Sequence, residues 1–322
     1  SQLGEEPGFF TGVAGQVDAL ALHLPLRAAV GAFVEDSLQT VCPERHINRD
    51  PIIPLPGKVI EGECFFQSGI QSGKLLEQPV IKGITVVLRM YGSGCPVVHE
   101  FSQPCTLEGV FDHYTESSKA IQKGKLTEVP SLTGIEPIYF EEFGVLEAFY
   151  TSGGISTLYK TFPNVKTLEY KTIRYKGHAE KFKLLADLGF LSKDNIVQVD
   201  GQDINVRSVV REAIKKKLEL GKKTDAVLLR AIIAGQKNEE QYTYEYEMIV
   251  RKDMESNVTA MARATASTIS VVAQMIGNGL IEKRGVFPPE QIVPGKEYIQ
   301  EMAKRGVDIK ETWHRSAMIV KW

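Results

Sequence analysis

Tyr170-Lys171-Thr172-Ile173-Arg174-Tyr175-Lys176-Gly177-His178 reads as a strand that runs into a glycine turn and hands over to a helix. If Tyr170 to Tyr175 is extended, Tyr170, Thr172 and Arg174 share one face, and Lys171, Ile173 and Tyr175 share the other. Beyond the turn, Phe182, Leu185 and Leu188 fall at helical spacing and Gly189 sits where a left-handed C-cap belongs, so the spacing predicts a helix over 179–188. A strand, turn and helix in succession point to an α/β fold. The face with Arg174 carries a phenol, a hydroxyl and a guanidinium in a row, a set suited to a small zwitterion, because arginine grips a carboxylate with two parallel hydrogen bonds. His178 stands at the start of the helix, where unpaired N–H groups favour an anion and lower a histidine's proton affinity. It could meet a substrate carboxylate or a cofactor phosphate, or simply cap the turn.

Working outward, Thr151-Ser152-Gly153-Gly154 is a hydroxyl-rich turn whose glycines let backbone N–H groups approach a ligand. Glu136 to Phe149 leads into it as a proline turn followed by an aromatic-rich segment. Before that, Thr106 to Thr115 reads as a capped helix start, with Thr106 as N-cap and Glu108 and Asp112 near its positive end. His113 on that helix is eligible as a general base by its ordinary pKa, and is equally a structural residue of a mixed face. A connection with Lys119, Lys123 and Lys125 follows as a solvated face.

Downstream, Val206 to Leu218 reads as a helix with basic exposed positions, including Lys215, Lys216 and Lys217. Ala226 to Ala234 and Gln241 to Val250 form a β-hairpin around 235–239, and its second strand sets Tyr242, Tyr244 and Tyr246 in a stripe expected to pack or to form a subunit face. Thr259 to Ile281 is a long helix, expected to pack through Ala262, Ala266, Ile269, Ala273 and Ile276. A final helix is predicted near Tyr298 to Arg305.

The first hundred residues are less legible. Gly12 and Gly15 precede a helical pattern to Val34, broken by Pro25, but the G-x-G-x-x-G of a dinucleotide fold and its leading strand are not there, so a plain turn is the reading. Prolines at 43, 51, 54 and 56 mark irregular connection from Val41 to Gly73. Val80 to Met90 is rich in β-branched residues and reads as a strand at a sheet edge or domain crossover.

Composition bounds the function. The 322 residues are 43% hydrophobic and 24% charged with a formal net charge of −2, which suits an ordinary globular chain and gives no basic field for nucleic acid or an anionic membrane. Cysteines at 42, 64, 95 and 105 lack CxxC spacing and histidine neighbours, so neither a metal centre nor a disulfide framework is expected. No apolar run of about 18 residues or signal-peptide pattern occurs, which makes the cytoplasm the expected location.

The blocks LEGVFDHYT (107–115), EVPSL (128–132), EPIYFEEFG (136–144), LEAFYTSGG (146–154), LEYKTIRYKGHAEK (168–181), VTAMARATASTIS (258–270) and KRGVFPPEQIVPG (283–295) resemble, in order, the lysine 6-dehydrogenases of the saccharopine dehydrogenase-like group. The resemblance covers about 107–310. It implies an incomplete or diverged Rossmann-like nucleotide-binding region and crossover over 1–106. An α/β substrate and dimerisation domain with a mixed sheet would cover 107–265, and a helical segment over 266–322 would pack back on the nucleotide region. It further implies NAD-linked oxidative deamination of L-lysine at the ε-amine, giving the semialdehyde, which cyclises, and ammonia. On that reading Arg174 and Thr172 take the α-carboxylate, Thr151 and Ser152 line the pocket, Gly153, Gly154 and His178 meet the cofactor, and Tyr114 or His113 accepts a proton. A homodimer is expected. The missing glycine fingerprint favours a rival reading, a non-catalytic amino-acid-binding or oligomerising protein; a saccharopine-type dehydrogenase is the other alternative.

Overall fold

The computed structural model describes residues 87–92, 107–153, 155–215, 225–237 and 240–317. The four cysteines, the Gly12–Val34 pattern, the 41–73 connection, Thr106, Gly154 and Lys216–Lys217 lie outside these residues. In chain order the elements are β1 (Val87–Gly92), α1 (Leu107–Thr115), β2 (Ser118–Gln122), β3 (Lys125–Val129), β4 (Glu136–Phe140), β5 (Gly144–Phe149), α2 (Leu158–Thr161), β6 (Thr167–Arg174) and α3 (His178–Asp187). They continue with β7 (Ile196–Val199), β8 (Gln202–Asn205), α4 (Val206–Lys215), β9 (Ala226–Lys237), β10 (Glu240–Arg251), α5 (Ala260–Gly277), α6 (Pro289–Ile292), α7 (Gly295–Ala303) and β11 (Ile309–Ala317). This is an α/β fold.

Nine strands form one mixed sheet in the order β11-β10-β9-β1-β6-β2-β3, with β5 also on β6 and β4 on β5. β1 and β6 run parallel, Val87 opposite Thr167 through Gly92 opposite Thr172, while β1 and β9 run antiparallel. The expectation of a sheet edge for this stretch is therefore corrected: β1 lies inside the sheet, as its β-branched, apolar run suits. The lysine-bearing connection after α1 is the hairpin β2–β3, turned by Lys123 (φ 52) and Gly124 (φ 76), and its lysines are exposed as expected. The aromatic segment 136–149 is likewise a hairpin, and Asp200-Gly201 closes a further one, β7–β8.

Strand β6 separates two cores as its alternation predicts. Tyr170 packs with Val227, Tyr246, Met248, Val271, Met275 and Tyr298 beneath α5 and α7, whereas Ile173 packs with Ile138, Phe140, Leu146 and Leu228 under the β4–β5 hairpin. Tyr246 is buried in the first core, so the tyrosine stripe turns inward at that end. Helix α5 corrects the predicted packing face: it buries Met261, Ala264, Thr265, Thr268, Val271 and Met275 and leaves Ala262, Ala266, Ile269, Ala273 and Ile276 exposed. Buried Thr268 satisfies its hydroxyl on Ala264 O at 2.9 Å and Tyr298 Oη at 3.0 Å. The division expected at 265 falls within α5, which is continuous in the core beneath the sheet.

A third cluster, of Leu107, Phe111, Tyr114, Leu132, Phe149, Ala179, Phe182 and Leu191, binds α1 to α3 over the end of β5. Burying each of its aromatic side chains contributes about 1.5–3 kcal/mol. Arg207 of α4 fixes α1 from outside the cluster: its guanidinium reaches Glu108 Oε2 at 2.6 Å, Asp112 Oδ1 at 2.7 Å and Leu191 O at 2.9 Å. These contacts set the last turn of α1, where His113 and Tyr114 stand.

Candidate functional site

The last turn of α1 and the Thr151–Gly153 turn hold one another. Ser152 N donates to His113 O at 3.0 Å, and His113 Nδ1 lies 3.0 Å from Ser152 O and 3.1 Å from Ser152 Oγ. A carbonyl oxygen only accepts, so Nδ1 carries the hydrogen and the lone pair is left on Nε2 of a half-buried ring. Thr151 Oγ1 and Thr172 Oγ1 bond each other at 2.6 Å, both buried. Gly153 takes φ 94, a conformation that disfavours any side chain.

On the other side of Tyr114, its phenolic oxygen stands 2.8 Å from His178 Nε2. Arg174 hydrogen-bonds the same phenol and also donates from NH1 to Ile173 O at 2.7 Å. The donors and acceptors then run one way: guanidinium to phenol oxygen, phenol hydrogen to imidazole. Burial pushes the Tyr114 phenol above its ordinary value; the charge and hydrogen bond of Arg174 oppose this, and Glu147 adds to the rise. Burial, with Arg174 and Lys181 behind it, lowers His178 to about 3, so its imidazole is neutral at physiological pH. The ring lies stacked on Phe182 at 4.5 Å and on Phe149 at 6.2 Å between centroids.

His178 opens α3 behind Gly177, whose φ of 87 makes glycine the fitting residue there. The N–H groups on either side of it, Gly177 N and Ala179 N, both donate to the carboxylate of Glu147 at 2.7 Å. At this helix start, where a cofactor phosphate is one expectation, Glu147 holds those N–H groups and the His178 side chain is turned to Tyr114. Sequence reading missed Glu147, Phe149 and Phe182. The signal for Glu147 was available, an acid between Leu146 and Ala148 in an otherwise apolar strand.

The structure thus brings together Tyr114, Arg174 and His178, and next to them the pairs His113–Ser152 and Thr151–Thr172. An open cleft of about 590 Å³ between α1, the 130–132 connection and α3 is bordered by Glu116, Ser131, Lys183 and Lys193, and of the candidate residues only Tyr114 lines it. Among the described residues no group of three or more His, Cys, Asp or Glu is placed to hold a metal ion, and no helix is long and apolar enough to cross a membrane.

A mixed sheet carrying a half-buried guanidinium, a buried phenol and a half-buried imidazole in sequence defines an α/β protein with a polar site at the end of β5 and β6. A family model described as the saccharopine dehydrogenase C-terminal domain matches residues 87–307, and the chain belongs to that family. The match begins at β1, the strand inside the sheet. The group is one of oxidoreductases that act on amino acids with nicotinamide nucleotides. Among solved structures the fold is similar to an apo, histidine-tagged saccharopine dehydrogenase (L-Glu forming) from Saccharomyces cerevisiae, with a TM-score of 0.56 and 15% identity over 71% of this chain and 67% of that one.

Proposed function

We propose that the chain is an NAD-dependent dehydrogenase that oxidises L-lysine at its ε-carbon. The observation that carries this reading is the Arg174–Tyr114–His178 chain, a guanidinium held at a fixed place by a protonated phenol and a neutral imidazole. In the proposal Arg174 takes the substrate α-carboxylate. Of the two hydroxyls in the Thr151–Thr172 pair one donates to the other, so a second hydroxyl hydrogen remains for the same carboxylate. Tyr114 orients: its phenol keeps its proton and donates it in a hydrogen bond to His178, which is a poor base at about 3. His113, with the Nε2 lone pair, takes the proton that the ε-ammonium must lose before its carbon can give up hydride. NAD, when bound, would supply the acceptor for the ε-carbon hydride, so that the neutral amine would become an imine which water converts to the semialdehyde and ammonia. Of the expected cofactor contacts the structure describes Gly153, at φ 94, and His178, whose side chain is turned to Tyr114; Gly154 and most of the 1–106 region lie outside the described residues.

L-lysine deuterated at the ε-carbon tests the reaction. A primary isotope effect on reduced-nucleotide formation, absent with α-deuterated lysine, is the expected outcome, and turnover only with saccharopine would favour the second reading. That reading, a saccharopine-type dehydrogenase, draws on the family match and the yeast structure. A homodimer in the cytoplasm belongs to the same proposal, and sedimentation of the purified chain tests the assembly. With Tyr246 inside the core, the exposed Trp313 of β11 is the aromatic residue a partner chain would meet beside Tyr244.

A further inference from the structure

We infer that Glu147 is a positioning residue of this site, acting through the first turn of α3 to hold His178 against Tyr114. The inference deepens the proposed site and rests on it only for the activity readout. Glu147 is buried on β5 with Arg174 directly opposite on β6, yet its two oxygens go to Gly177 N and Ala179 N, the amides that bracket His178. The amide of His178 itself donates to Tyr175 O at 3.2 Å. Three successive N–H groups are therefore fixed, two of them by one carboxylate, and the Cα of His178 has no freedom to slide along the helix axis.

The side chain is fixed from the same strand. Phe149 stands two residues beyond Glu147 and so on the same face of β5, and it stacks on the imidazole, as does Phe182 one turn into α3. Glu147 sets the backbone of His178 and Phe149 sets its ring, which leaves Nε2 aimed at the phenol. A carboxylate suits this task because the helix start is its positive end and each bond is charge-assisted. The charged and titratable groups around the imidazole are Tyr114 from α1, Glu147 from β5, Arg174 from β6 and Lys181 from α3 itself.

The chain offers its own control. Asp225 also holds a helix start with a buried carboxylate, though both its oxygens accept from a single amide, Ala260 N of α5, at 3.2 and 3.0 Å. The test compares Glu147→Gln, Glu147→Ala and Asp225→Asn by nitrogen-15 NMR of the His178 imidazole through pH 3 to 8, with thermal melts of each. Native protein should show one neutral tautomer across about pH 5 to 8. Gln keeps one oxygen acceptor and Ala none, so the fixed tautomer signal should broaden in Glu147→Gln and be lost in Glu147→Ala, while Asp225→Asn lowers the melting temperature and leaves the signal unchanged. A Glu147→Ala protein that melts lower but keeps the native His178 signal would overturn the inference and make Glu147 a helix cap alone. So would a Glu147→Gln protein whose His178 signal changes no more than that of Asp225→Asn. Lysine turnover, measured alongside, should fall tenfold or more in Glu147→Ala. A chain with no turnover whose His178 signal still follows Glu147 keeps the positioning and removes the lysine reading.

Discussion

Tyr114→Phe removes one oxygen from a largely buried site, since Tyr114 is 3% exposed and His178 stacks on two phenylalanines. The ring contacts with Phe182 at 5.0 Å and Phe149 at 6.0 Å survive the change, so little apolar packing is lost. What is lost is a hydrogen bond at each end: a neutral one to His178 Nε2, worth about 1 kcal/mol, and one from the Arg174 guanidinium, worth about 1.5–3 kcal/mol. Some of the second is recovered because Arg174 is only half-buried and solvent can reach it. A net destabilisation of about 2 kcal/mol is expected, which for a chain of this size lowers Tm by roughly 3 °C. Urea unfolding followed by circular dichroism measures it, and a double-mutant cycle with His178→Phe isolates the shared term, expected at about 1 kcal/mol. In turnover assays KM for lysine should rise about tenfold more than kcat falls, because the phenol orients the carboxylate clamp and moves no proton. A Tyr114→Phe protein as stable as the native one, with additive behaviour in the cycle, would refute the linked chain of Arg174, Tyr114 and His178.

Further outcomes follow from other parts of the site. His178 binds its proton less readily in the folded chain, at about 3, than in the unfolded chain at about 6.5, so between these values the unfolded state carries more protons and stability rises with pH. Its contribution is fully present above about pH 6.5 and is lost as pH falls toward 3, with a slope of at most about 1.4 kcal/mol per pH unit; His178→Gln should flatten this part of a stability curve measured by urea unfolding. Arg207→Met should destabilise by about 2–3 kcal/mol, below the full figure for a broken buried pair because Glu108 and Asp112 are partly solvated, and added salt should recover some of the loss. His113→Gln should lower kcat about 10²- to 10⁴-fold with little change in thermal stability, the signature of a lost proton acceptor.

The sequence discloses strand β6 better than the helices around it. Period-2 alternation at 170–175 has one reading, and β6 places Tyr170 and Ile173 in different cores as that reading requires. The grouping of His113, Tyr114, Ser152, Thr172, Arg174 and His178 follows from blocks that are distant in sequence and joined by this strand. Helix α5 is different, because small and apolar residues lie all round it. The stripe through Ala262 and Ile269 and the stripe through Met261, Ala264 and Val271 fit the same period, and only packing beneath β9 and β10 selects the second. The β2–β3 turn was hidden because Lys123 adopts a left-handed conformation usually taken by Gly, Asn or Asp, whereas Asp200-Gly201 carried a legible hairpin signal. Glu147 stands out in its apolar strand, but its role was opaque for a further reason. The groups that need it are main-chain amides at Gly177 and Ala179, which no side-chain pattern displays.

In the proposed reaction Arg174 holds a substrate carboxylate within reach of a bound nicotinamide nucleotide. Titration of the purified chain with NADH, read by nucleotide fluorescence with and without L-lysine, tests it most directly. Saturable NADH binding that lysine alters, with the lysine effect alone lost in Arg174→Ala, is the predicted result. An Arg174→Ala protein that responds to lysine as the native chain does, or a native chain that binds no NADH at millimolar nucleotide, would contradict it.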